Sequence, residues 1–154
     1  MAIPKTVTRA AILVKRGTRK ELVAGGTITP GHLIMINSAG KYVVHGTAKG
    51  RALKCFADIA DHNGKGLDDN YVANDLVMGE IVDSGAEVNA LLAASATAVV
   101  IGAQLESAGD GTLRNITADN TTGPVFGGYP IAIALEAVDN SGGGTPARIR
   151  VLVL

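Results

Sequence analysis

The chain has 154 residues, 47% of them hydrophobic, long enough to bury a core as one domain without disulfides or metal. Aromatics make up 3% and Trp is absent, so that core has to be built from Val, Ile, Leu and Ala. Fourteen Lys and Arg balance 14 Asp and Glu, which argues against a nucleic-acid binder that works by neutralising phosphates.

No apolar run reaches the length of a membrane helix. The opening, MAIPKTVTRAAILVKRG, has too short an apolar centre and no clear cleavage site, so it does not read as a signal peptide. Residues Met1 to Arg9 read as an extended arm. Pro4 and the Thr and Val residues favour extended backbone, Lys5 and Arg9 are solvated, and Ile3 and Val7 are the only large aliphatics besides Met1. Residues 10–154 read as a single β-rich domain.

Ala10 to Lys15 is the first predicted strand. Lys20 to Ala24 and Thr27 to Thr29 flank Gly25-Gly26, a hairpin or bulge signal. Pro30-Gly31 predicts a type II turn, with Pro at the second position and Gly supplying positive φ at the third. Strands follow at His32 to Asn37 and Lys41 to His45, joined by the turn Ser38-Ala39-Gly40. Arg51 to Ala60 is strand-like, and Asp61 to Asn70 is a polar loop. Asp75 to Val82 and Glu87 to Leu92 flank Asp83-Ser84-Gly85. The Ala-rich stretch 90–98 is read as strand, then loop, with a short helix as the alternative. Gly102 to Glu106 and Thr112 to Ile116 flank an Asp-Gly turn and form a hairpin. Thr117 to Gly128 is a long loop.

The last predicted unit is a hairpin of Ile131 to Val138 with Ala147 to Leu154, around the mobile tip DNSGGGTP. In its second strand, Ala147, Ile149, Val151 and Val153 face one way and Arg148 and Arg150 the other. Turns recur about every 8–12 residues, the mark of an all-β sandwich or barrel. A weak internal echo, Gly31-His32-Leu33…Ser38-Ala39-Gly40 against Gly102…Leu105…Ser107-Ala108-Gly109, suggests two related β halves. The predicted class is all-β: a compact β-barrel or sandwich-like domain with an extended N-terminal arm and little helix.

Candidate chemistry is sparse. Asp58, Asp61, His62, Asp68 and Asp69 are the densest polar cluster, but no ordered ligand spacing is present, and a solvated loop is favoured over a metal site. Asn63-Gly64-Lys65-Gly66 lacks the phosphate-loop spacing, and none of Ser38, Ser84, Ser107 and Ser141 lies in a nucleophile elbow. His32, His45 and His62 are scattered. Cys55, the one cysteine, reads as a small buried hydrophobe. Arg148 and Arg150 form either a solvated sheet face or the rim of an interface.

In order along the chain, several segments resemble the tailed-phage capsid decoration, or cement, proteins. They are Pro30-Gly31 opening a strand, Cys55-Phe56-Ala57-Asp58 before a polar loop, and Gly64-Lys65-Gly66-Leu67-Asp68-Asp69-Asn70-Tyr71. They continue with Gly85 to Leu91, Gly102…Leu113, Ala132-Ile133-Ala134-Leu135-Glu136-Ala137 and Ala147 to Val151. The weight lies in their order and spacing, since each alone is a turn plus a strand. The resemblance implies a β-rich, often trimeric virion protein, made in the host cytoplasm. It would sit on the outer capsid, bridge neighbouring major capsid subunits and resist internal DNA pressure. It implies no enzyme activity, catalytic residue, cofactor, metal, nucleic acid or membrane partner. The candidate contact residues are Ile3, Pro4, Lys5, Val7, Arg9, Arg148 and Arg150. A virion-surface module that binds a host receptor, and a small β-barrel enzyme, are the alternatives.

Overall fold

The computed structural model describes residues 11–14, 16–116 and 128–154. The arm expected over Met1 to Arg9, and nearly all of the loop expected over Thr117 to Gly128, lie outside the described residues.

Eleven strands account for the described fold: β1 Ile12–Val14, β2 Gly17–Val23, β3 Ile34–Ile36, β4 Tyr42–Val44, β5 Cys55–Ala57, β6 Leu76–Val82, β7 Glu87–Leu92, β8 Gln104–Ser107, β9 Leu113–Asn115, β10 Ala132–Ala134 and β11 Ala147–Val153. One 3-10 turn at Asp61–Asn63 is the single helical element among the described residues. The fold is all-β, as the recurrence of turn signals predicts.

Five strands close into a barrel in the order β7-β11-β10-β8-β9. Closure is made by a parallel contact of Leu92 with Leu113, backed by the Ala93 N–H donating to the Leu113 carbonyl at 2.9 Å. β1 shares the same edge of β7 further down, pairing Ile12 with Val88. The predicted terminal hairpin lies at the middle of this wall: Ala132 faces Val153, Ala134 faces Val151, and β11 runs on along β7 from Leu152↔Glu87 to Ala147↔Leu92.

Alternation decides the barrel's inside. Ile149, Val151 and Val153 are buried, with Val88, Ala90, Leu92, Leu105, Leu113, Ala132 and Ala134 completing the core. Large aliphatics are interleaved with alanines, as a small barrel filled by its own side chains requires. Each fully buried Leu or Ile contributes roughly 1.5–3 kcal/mol from leaving water.

A second sheet, β2-β6-β5, lies beside the barrel, and the β3–β4 hairpin packs with it. β5 divides its side chains between two cores. Phe56 joins the barrel cluster, whereas Cys55 and Ala57 join a second cluster with Ala24, Ile28, Ile34, Tyr42, Tyr71 and Val77. Gly79 on β6 is needed for this second core. A Cβ there would lie 2.5 Å from the Tyr42 ring, so only Gly lets the ring lie against the strand.

Most turn expectations hold. The His32 N–H donates to the Thr29 carbonyl at 3.0 Å across Pro30-Gly31, and Gly31 has φ +94°. The β3–β4 turn is held by Asn37, whose Oδ1 accepts the N–H groups of Ala39 and Lys41 at 3.0 Å each. β8 and β9 form the predicted hairpin, and 90–98 runs as strand to Leu92 and then as turn.

Two expectations are corrected. Gly25-Gly26 joins no hairpin: Ala24 bridges Tyr42, Ile28 bridges Tyr71, and the Gly25 N–H donates to the Tyr42 carbonyl at 2.7 Å. The chain leaves β2 to cross the second core because its hydrogen-bond partners lie there. The tip of the terminal hairpin is also tied down rather than free. Asn140 Nδ2 donates to the carbonyls of Ala93 and Thr145, and the Ser95 N–H donates to the Gly143 carbonyl. The two echoed segments lie in different sheets, β3–β4 beside the second core and β8–β9 in the barrel wall.

Candidate functional site

Arg148 occupies the seam between the barrel and the second core. It leaves the outer face of β11 opposite Leu91. Its Nη1 donates to the Pro30 carbonyl, and its Nη2 donates to the Leu67 carbonyl at 2.6 Å and lies 3.4 Å from Asp68 Oδ1. The Pro30-Gly31 turn is what aims that carbonyl. Gly31 is required there, because a Cβ would meet Arg148 Nη1 at 2.5 Å and the Asn89 carbonyl at 2.6 Å. The side chain is 23% exposed, and burial pushes its pKa below the ordinary arginine value, with Asp68 opposing. Arg148 therefore acts as an internal clamp. Arg150, two residues on, donates its backbone N–H to Glu136 Oε1 at 2.7 Å. Its Nε is buried without a hydrogen-bond partner among the described residues. The five arm candidates, Ile3, Pro4, Lys5, Val7 and Arg9, lie outside the described residues.

A cleft of about 200 Å³ opens beside the clamp, lined by Thr29, His32, Asp68, Leu91, Pro146 and Arg148. It is smaller than an ordinary small-molecule site. His32 Nδ1 accepts the Thr29 N–H at 3.0 Å, so that nitrogen carries no proton. Burial lowers the His32 pKa to about 4; Asp110 opposes and Arg148 adds to the fall. A second cleft of about 380 Å³ is lined by residues 93–97 with Ala108, Asp110, Arg114 and Asn115. Its polar groups are occupied: Asp110 by Thr112, Arg114 by Glu106 at 2.9 Å, and Asn115 by the carbonyls of Thr97 and Ala98.

The structure brings together one pair that the sequence reading missed. His45 Nδ1 lies 2.7 Å from Ser107 Oγ, across 62 residues. His45 Nε2 lies 3.0 Å from the Arg51 carbonyl, which can only accept, so Nε2 carries the proton and Nδ1 accepts from the hydroxyl. Ser107 Oγ in turn accepts the Gly109 N–H at 3.3 Å. Both side chains are buried, His45 at 3% and Ser107 at 0% exposure. The pair ties three loops together. No local spacing announces it.

The acidic cluster disperses. Asp58 accepts the N–H groups of Ala11 and Ile59 and lies 3.6 Å from Arg19. Asp69 accepts the Gly66 N–H at 2.6 Å, Asp68 turns to Arg148, and Asp61 and His62 lie in the 3-10 turn. Among the described residues no three His, Cys, Asp or Glu side chains converge as metal ligands. Cys55 is fully buried against Tyr42, as expected, and burial pushes its thiol up to about 11.

The outer surface carries apolar groups that strand patterning did not single out. Val100 and Ile101 are 65% and 70% exposed at the turn before β8. Leu53 and Tyr129 are half exposed, and the Arg51 guanidinium lies 4.6 Å over the Tyr129 ring. Such exposed Tyr and Arg groups have the composition of interface anchors. Among the described residues no helix is long and apolar enough to cross a membrane.

No family model matches the chain, and no curated protein matches it.

Proposed function

We propose that this chain is a structural virion protein that binds the outer surface of a tailed-phage capsid and cements neighbouring major capsid subunits. The observation that carries this reading is the ordered series of turn-and-strand segments from Pro30-Gly31 to Ala147-Arg148-Ile149-Arg150-Val151, spread over most of the chain. The use of polar groups agrees with it. His45, Ser107, Asp58 and Arg148 are taken up in bonds that hold loops and sheets together. A cement protein needs contact area and several copies rather than chemistry, and copies gathered at three-fold positions let weak contacts act together. Ile3, Pro4, Lys5, Val7 and Arg9 supply an extended segment that adds main-chain hydrogen bonds to a partner's sheet edge.

The test is sedimentation of expanded capsids with the full-length chain and with a form lacking Met1 to Thr8, at matched concentration. The full chain should bind saturably. The truncated form should keep its melting temperature but occupy fewer sites, through faster dissociation. Failure of the full chain to bind any capsid form overturns the reading; equal occupancy and off-rates remove the arm from it.

A further inference from the structure

The turn after β7 and the β8–β9 hairpin line the cleft of about 380 Å³. Its walls are fixed. The Ala93 N–H donates to the Leu113 carbonyl at 2.9 Å, and the Ser95 N–H to the Gly143 carbonyl at 2.8 Å. Asn115 Nδ2 donates to the carbonyls of Thr97 and Ala98 at 3.3 and 3.0 Å. A cleft of this volume lies within the range of small-molecule sites.

The bonds that hold its polar side chains engage one atom of each and leave the others. Arg114 stands opposite Glu106 on the outer face of β8 and β9. Glu106 is fully buried, and its Oε1 accepts Arg114 Nε at 2.9 Å. That bond fixes the plane of the guanidinium. It leaves the Nη donors of Arg114 without an acceptor among the described residues. Asp110 sits between Gly109 and Gly111, whose φ values are +95° and +83°. Its Oδ1 accepts the N–H and the hydroxyl of Thr112, and Oδ2 is left over. Carbonyls only accept, so the Asn115 atom that meets Thr97 and Ala98 is the amide nitrogen, and Asn115 Oδ1 remains an acceptor.

Arg114 and Asp110 therefore line one cleft, yet each is pinned by its own internal partner and they form no ion pair with each other. A lone anion in the cleft meets Asp110, and a lone cation meets Arg114. A molecule with both charges suits both residues. We propose that the cleft binds a small zwitterion of the α-amino-acid type. Its carboxylate lies on the Nη edge of Arg114, and its ammonium group on Asp110 Oδ2 and Asn115 Oδ1. The alanine methyls of the lining, at Ala93, Ala94 and Ala108, leave room for a short aliphatic side chain and offer it no polar partner. Glu106 is then a positioning residue, holding the guanidinium with its fork towards the ligand. A phosphate group fits less well, since the lining has one cationic side chain and Asp110 repels a dianion. The competing reading is two surface charges met only by water. The proposal is independent of the capsid reading, and its test needs no capsid.

The probes are L-alanine, propionate and ethylamine, each titrated into the full-length chain at neutral pH while backbone and arginine side-chain signals are followed by NMR. L-alanine should shift the signals of Arg114, Asp110 and Ala94 saturably, in the millimolar range. Propionate lacks the ammonium group and ethylamine the carboxylate, so each should bind about tenfold or more weakly. Asp110→Asn keeps an oxygen for Thr112 and removes the charge; it should erase the preference for L-alanine over propionate. Arg114→Lys keeps a cation beside buried Glu106 but loses the fork, and should weaken L-alanine about three- to ten-fold. Ala94→Leu, at an exposed position, fills the cleft and touches neither charge. It should abolish binding at an unchanged melting temperature, and it carries the test if a charge variant misfolds. Equal binding of the three probes, or L-alanine binding unchanged in Ala94→Leu, overturns the proposal. So does the absence of any saturable shift with L-alanine up to about 100 mM, beyond the millimolar affinities of weak ligands; the cleft is then solvated surface.

Discussion

Replacing Arg148 with Ala tests whether the clamp holds the barrel to the second core. The change removes two hydrogen bonds to carbonyls, at Pro30 and Leu67, and an ion-pair contact of 3.4 Å to Asp68. Asp68 is 94% exposed, so that contact is screened and contributes little. The two carbonyl bonds are charge-assisted, worth about 1.5–3 kcal/mol each when buried. The adjoining cleft admits water, which can satisfy freed carbonyls, so the lower end applies and the loss is about 2–3 kcal/mol in total. At about 2–4 °C per kcal/mol for a chain of this size, the melting temperature should fall by about 5–10 °C. Arg148→Lys should recover less than half of this, because a point charge cannot reach both carbonyls as the guanidinium fork does. Differential scanning calorimetry of the three proteins measures it. A fall of less than about 1 °C for Arg148→Ala would refute the clamp and return Arg148 to the solvated outer face of β11.

Three further outcomes follow from the packing. Gly79→Ala should destabilise by about 2–4 kcal/mol through the clash with Tyr42, and adding Tyr42→Leu should recover part of it; strict additivity in the double-mutant cycle would sink the explanation. His32 is held neutral by burial, with a folded pKa of about 4 against an ordinary 6.5. The unfolded chain therefore binds more protons between those values, and His32's contribution is complete above pH 6.5 and is lost as pH falls towards 4. Melting temperatures across this range should fall more steeply for the native chain than for His32→Gln; parallel curves would exclude His32 as the cause. Cys55, fully buried with its thiol pushed up to about 11, should react with a thiol reagent at neutral pH only as fast as the protein opens. A reaction rate independent of added denaturant at low concentration, and close to that of a free thiol, would contradict the burial.

Local chemistry was readable from the sequence wherever one residue type decides a backbone shape. Pro30-Gly31 needs positive φ at its glycine, and Asn37 can close its own turn. The alternation from Ala147 to Val153 leaves one apolar face that must turn inward. These features made the all-β class, most strands and the terminal hairpin legible. Partner choice was not, because strand pairing is a long-range property. β6 and β7 are neighbours in sequence, separated by the Asp83-Ser84-Gly85 turn, yet one joins the second sheet and the other the barrel. Gly25-Gly26 looked like a hairpin because its flanks looked like strands; only the position of Tyr42 and Tyr71 shows where those flanks find hydrogen bonds. Arg148 had two readings because its outward direction was evident, whereas the carbonyls of Pro30 and Leu67 that take its donors are 118 and 81 residues away. His45 and Ser107 met for the same reason. The sequence by itself determined the period of each strand and the shape of each turn, since both depend on side chains a few residues apart. The tertiary structure alone decided which strands close the barrel and which polar groups saturate one another, because those depend on loops closing across the whole chain.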